Sequence, residues 1–202
     1  MPEFDLRRIR IAKYTYDSEQ GKITYGTPID VGDAMTANVE LRFAEGRLYA
    51  ESRLAEYMRH YSGVSVSLGV KYIKDAAQKE LFGAYELQRN VSSKQVKSLT
   101  FGKGANGNYV GCTFYSPDMI DGAEKFTCVF MHKALFSPPT RSLQTLGDTI
   151  TFSTPTTTGE AMVDDKGHLS ESVTVATEAE AIAWCEACFS AEPTTPSGSG
   201  GA

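Results

Sequence analysis

The chain has 202 residues, a formal charge of −5, and 41% hydrophobic against 22% charged residues. That balance is an ordinary globular one; it excludes a surface basic enough to grip nucleic acid, and no run approaches the roughly 18 apolar residues of a membrane span. The start, Met1-Pro2-Glu3-Phe4-Asp5, has neither a basic n-region nor an apolar h-region, so no secretory signal is read, and Cys112, Cys128, Cys185 and Cys188 are expected as thiols in a reducing cytoplasm.

From about Leu6 to Val163, short β-like runs alternate with turn signals. Asn38–Phe43 places Val39, Leu41 and Phe43 on one face, the period of a strand. From Phe43 to Ser62 the pattern breaks. Arg42, Glu45, Arg47, Glu51, Arg53, Glu56 and Arg59 interleave with Leu48, Tyr49, Leu54, Tyr57, Met58 and Tyr61. A connection this long is functional or disordered, and its arginines and aromatics are residue types enriched at protein interfaces. It reads as a long loop or arm over about 43–62, or as a surface helix over Glu51–His60.

Val64–Tyr72 alternates cleanly, with Val64, Val66, Leu68, Val70 and Tyr72 inward. A flanking helix follows over about 73–82, with Ile73, Ala77, Leu81 and Phe82 on one side, closed by Gly83, which can adopt the left-handed backbone angle of a helix end. Tyr109–Tyr115 is a further strand. Phe126–Met131 is apolar on both faces, as suits a strand covered on both sides. Thr149–Ser153 alternates again. Turn chemistry separates these runs at Glu19–Gly21, Lys103–Asn108, Asp121-Gly122, Pro138-Pro139 and Asp164–Gly167. Glu178–Phe189 reads as a C-terminal helix, and the Ser/Thr/Pro/Gly-rich tail over 190–202 has almost nothing to bury. The expectation is a mainly β chain, an antiparallel sandwich or barrel, with one domain over 1–189.

Catalytic chemistry is thin. Trp184-Cys185-Glu186-Ala187-Cys188 has the spacing of a thiol–disulfide oxidoreductase. It sits near a helix C-terminus, though, where the dipole disfavours a thiolate, and Ile182, Cys185 and Phe189 share a helical face. Zinc would need two further ligands; Cys112 and Cys128 lie inside predicted strands, and His60, His132 and His168 show no ligand spacing. His132, in the most apolar strand, reads as a satisfied interior or interface group. The glycines of Phe101–Asn108 lack the Gly-Lys-Ser/Thr ending and following helix of a phosphate loop. No catalytic residue, cofactor or metal is expected.

Thr24–Pro28 followed by Val31–Val39, then Leu48–Glu51, Val64–Val70, Glu80–Gly83, Gly107–Gly111, Lys133–Pro139, Thr145, Gly147-Asp148 and Phe152–Thr156 resemble, in the right order over roughly residues 9–163, the major tail proteins of long-tailed phages. The Cys-x-x-Cys helix and the Gly/Ser tail match no feature of that family. The resemblance implies a β-sandwich flanked by a helix. It implies hexameric rings that stack into a tail tube, with double-stranded DNA passing through the lumen on ejection. It also implies a place in the virion tail after assembly in the bacterial cytoplasm, with no membrane contact, and tape measure, tail terminator and distal tail proteins as partners. Arms reach neighbouring subunits and rings, so Arg42, Arg47, Leu48, Tyr49, Glu51, Arg53, Leu54 and Tyr57 are the expected contacts. Six copies at −5 each give a ring of about −30, which would let the DNA polyanion slide. A virion carbohydrate- or receptor-binding sandwich using Tyr57, Tyr61 and Tyr115 is the other reading, and thiol oxidoreduction a third.

Overall fold

Alternation of period two shapes most of this chain, and the computed structural model, which describes residues 5–50, 52–103, 105–140 and 154–190, is mainly antiparallel β. The strands are β1 (Arg7–Asp17), β2 (Lys22–Tyr25), β3 (Ile29–Asp30), β4 (Ala34–Ala50), β5 (Arg53–Val70), β6 (Tyr85–Val91), β7 (Lys94–Thr100), β8 (Val110–Ile120), β9 (Ala123–Phe136), β10 (Thr156–Met162) and β11 (Ser170–Val175). Helix α1 spans Asp75–Phe82, and α2 spans Glu178–Ala187. One sheet runs β2-β1-β8-β9-β10-β5-β4, with β3 also on β1 and β11 also on β9, and β6 and β7 form a separate hairpin. The predicted strand and tail at Thr149–Ser153 and beyond Ser190 lie outside the described residues.

The main sheet rolls. Four strand steps separate β1 from β5, about 19 Å in a flat sheet, yet Ile9 and Ile11 pack in the same core as Val64, Val66, Leu68 and Val70. The segment after β3 helps close the gap: Val31 N–H donates to Ile9 O, Lys71 N–H to Asp33 O, and Lys74 N–H to Val31 O. Gly32 is needed there, because a Cβ would collide with the Tyr72 carbonyl. Ala77, Leu81 and Phe82 of α1 enter this core, and Gly83 caps the helix at φ +66°, donating to Lys79 O.

The other face of the sheet lies under α2. Tyr115, Phe126 and Cys128 pack on Ala181 and Cys185, while Ala12 and Phe130 pack on Phe189. A capping box starts α2: Thr177 Oγ1 accepts from Glu180 N–H, and Glu180 Oε2 accepts from Thr177 N–H at 3.0 Å. Glu178 accepts from Arg7 and from the Tyr115 hydroxyl, and Glu186 pairs with Arg8 and Arg10.

Three expectations change. The 43–62 stretch is neither an irregular arm nor a surface helix; it is the outer half of the β4–β5 hairpin. Val39, Leu41 and Phe43 share the face of the core valines across the strand pair, but lie beyond the core's cover and are exposed. Tyr72 lies past the end of β5 and is exposed. The β6–β7 hairpin was not foreseen. Its two-residue turn, Ser92-Ser93, has both φ positive, the geometry that matches strand twist.

Leu81→Ala should lower unfolding stability by about 2–5 kcal/mol, through the cavity it leaves in a fully buried site. Thr177→Ala, which removes only the cap, should cost about 1 kcal/mol. Urea unfolding followed by circular dichroism checks both.

Candidate functional site

Strand β4 has 17 residues and β5 has 18, and their pairing continues from Ala34↔Val70 to Ala50↔Arg53. Beyond Phe43 and Tyr61 the pair leaves the sheet as a two-stranded ribbon of about 25 Å, at roughly 3.3 Å per residue. The register shifts between Arg42 and Phe43 and again between Leu48 and Tyr49, which adds local twist. At the base, Arg42 is paired with Glu160 of β10 at 2.9 Å.

One ribbon face has an order of its own. The cross-strand pairs Phe43↔Tyr61, Glu45↔Arg59 and Arg47↔Tyr57 lie side by side. The Arg59 guanidinium stands 3.6 Å from the Phe43 ring centre, Arg47 lies 5.7 Å from that of Tyr57, and Glu45 bridges both arginines. The Glu45 carboxylate beside the Tyr57 hydroxyl pushes its pKa up. Contacts of this kind contribute about 0.5–1 kcal/mol each at exposed sites. Further out, Leu48, Tyr49, Leu54, Tyr57 and Met58 are 46–62% exposed. The fold therefore gathers Arg42, Arg47, Leu48, Tyr49, Arg53, Leu54 and Tyr57 on one projection; the Glu51 side chain lies outside the described residues. Among those residues β4 has β5 as its single strand neighbour, so its outer edge offers unpaired backbone groups.

Tyr115 is not available to stack on a sugar. It is 3% exposed, packed on Phe126, and its hydroxyl donates to Glu178. The Cys-x-x-Cys thiols are held in the protonated form. Cys185 is buried, and burial pushes the pKa of Cys112, Cys185 and Cys188 up to about 12. Burial is the main cause, ahead of the helix-end effect expected from position.

A second constellation escaped sequence spacing. His132, Asp164 and His168 converge beside a cleft of about 540 Å³ between the β1–β2 hairpin and α2. Asp164 Oδ1 accepts backbone N–H bonds from Lys166 and His168 at 2.9 and 2.8 Å, which is the Asp-Gly turn read from sequence. Asp164 Oδ2 stands 3.4 Å from His132 Nδ1 and 3.5 Å from His168 Nδ1. The gaps of 32 and 4 residues between these donors belong to no ligand motif. Only the pairing of β9 with both β10 and β11 brings them together.

No protein-family model matches the chain, and no curated protein matches it in sequence.

Alkylation at about pH 8 should label Cys112, Cys128 and Cys185 only after denaturation, read by peptide mass spectrometry. A thiol pKa raised by folding gives stability that is complete below the unfolded value and lost as pH rises through the folded one. The urea midpoint should therefore hold to about pH 8 and fall from about pH 9 towards 12.

Proposed function

We propose that this chain is a self-assembling tail tube subunit of a long-tailed phage. In this reading six copies form a ring, rings stack with tape measure, terminator and distal tail proteins at the ends, and double-stranded DNA passes through the lumen on ejection. The single observation that carries it is the β4–β5 ribbon. It combines a 17-residue strand, whose outer edge is free among the described residues, with a cluster of exposed aromatic and aliphatic side chains. A lone soluble domain gains nothing from such a projection, since an exposed long edge invites pairing with other chains, whereas a subunit that meets its own kind uses both the edge and the side chains. The ordered resemblance over residues 9–163 supplies the partner: further copies of this chain. A mainly antiparallel sheet with one flanking helix, α1, is consistent with it.

The glycan-binding reading loses Tyr115, and the thiol reading loses its thiolate. Within the assembly reading, the ribbon's ion pairs are exposed and contribute about 0–1 kcal/mol each, so apolar contacts carry the affinity.

Purified protein should form rings or tubes by light scattering and negative-stain microscopy; a strict monomer at high concentration would sink the proposal. Replacing Ala44–His60 with Asn-Gly, which closes Phe43 onto Tyr61 by a two-residue turn, should leave the sheet folded and abolish stacking. The double variant Tyr49→Ala, Leu54→Ala should raise the critical concentration for assembly at least about tenfold, and Arg53→Ala by less than about threefold.

A further inference from the structure

The His132–Asp164–His168 cluster has the features of a built cation site. Asp164 has no exposed side-chain surface, and among the described residues its Oδ2 has no hydrogen-bond donor, although two imidazole nitrogens face it. Neither nitrogen makes a well-formed hydrogen bond to it. Their separations of 3.4 and 3.5 Å are close to the edge of a zinc tetrahedron, about 3.3–3.4 Å for bonds of about 2.0–2.1 Å. The three donor atoms all lie within 4.8 Å of one another, and His168, on a half-exposed ring, has room to turn inward.

The surroundings serve the same end. His132 Nε2 lies 2.9 Å from Glu171 Oε1, off the line of its N–H. A small rotation of the ring makes this the carboxylate–imidazole contact that orients a metal-ligating histidine and fixes its tautomer. With the proton on Nε2, Nδ1 is left free to act as a ligand atom 3.4 Å from Asp164 Oδ2. Phe130 packs on His132 at 4.6 Å between ring centres, giving the set an apolar wall.

We infer that His132 Nδ1, Asp164 Oδ2 and His168 Nδ1 bind one divalent transition-metal ion of the zinc type, with a fourth position open to the cleft beside Tyr25 and Trp184. Two imidazoles and one carboxylate suit zinc better than calcium or magnesium, which take oxygen ligands. The ion ties β9 to the β10–β11 loop within a single chain, so the site does not rest on the assembly reading.

The test uses chelator-treated full-length protein titrated with Zn²⁺ by calorimetry, and with Co²⁺ as a visible probe. One equivalent of Zn²⁺ should bind and raise the melting temperature. Co²⁺ should give d–d absorption without a thiolate charge-transfer band. Asp164→Asn keeps the Oδ1 acceptor of the turn and removes the charged donor, and His168→Ala removes a half-exposed ring; each should weaken Zn²⁺ binding by more than about 100-fold, and Glu171→Gln by about tenfold. His60→Ala, on the distant ribbon, should leave affinity unchanged. Absence of stoichiometric Zn²⁺ binding would overturn the assignment, as would undiminished binding in both Asp164→Asn and His168→Ala, or a thiolate band with Co²⁺, which would move the site to Cys188 at the same cleft.

Discussion

Strand β9 must satisfy two cores and three strand neighbours with 14 residues, and the rest of the fold is arranged around how it does so. Along one edge it pairs with β8 over Ala123–Met131 and again at Ala134. Along the other it pairs with β11 over Phe126–Met131 and with β10 over Lys133–Phe136. The change of partner coincides with one extra residue in β9, where the register moves from Val110↔Ala134 to Cys112↔Met131. Such a bulge reverses which side chains face inward. Before it, Phe126, Cys128 and Phe130 lie under α2 and Met131 lies in the inner core; after it, Ala134 and Phe136 take over the inner core. His132 stands at the changeover, where its backbone N–H donates to Leu169 O and its ring meets Asp164 and His168 of the β10–β11 loop.

That geometry explains which parts of the fold could be read from sequence. Phe126–Met131 was legible as a strand covered on both sides because five of its six residues are apolar, and the structure buries Phe126, Cys128, Phe130 and Met131 while Thr127 and Val129 stay partly exposed. Val64–Val70 was legible because one face is all apolar and the other small. Gly83 was legible as a helix end because its φ of +66° is strained for other residues. By contrast, Asp164 read correctly as a turn residue through Oδ1, while the use of Oδ2 depends on β9 lying 32 residues away in the chain. No local pattern carries that.

The ribbon stood out in sequence as a long, aromatic- and arginine-rich stretch, but its conformation was not legible. Strand recognition rests on one face being apolar, and that contrast comes from burial. Both faces of the outer β4–β5 pair meet solvent, so charged residues occur on each and apolar residues are confined to neither. What holds it is pairing across the strands: Arg59 over Phe43, Arg47 by Tyr57, Glu45 between the arginines. Reading i against its partner in the other strand, rather than i against i+2, would have found those pairs once the turn between Ala50 and Arg53 was located.

The two ends of the main sheet are unequal, and under the assembly proposal that inequality sets what each neighbour can do. One end is β4, with 17 residues; the other offers β2 and β3, with four and two. Pairing of one end onto the other is heterologous and must either close into a ring or continue as a fibre. The short end can engage only the base of β4, about six residues of ladder, so the outer part from Phe43 to Ala50 is left over for a different neighbour. That outer part carries exposed Phe43, Leu48 and Tyr49, beside Leu54, Tyr57 and Met58 of β5. A base that closes a ring laterally and a tip that reaches along the axis divide one hairpin between two contacts. The arginines on the ribbon then limit uncontrolled edge pairing before assembly, since charge on an edge strand opposes aggregation.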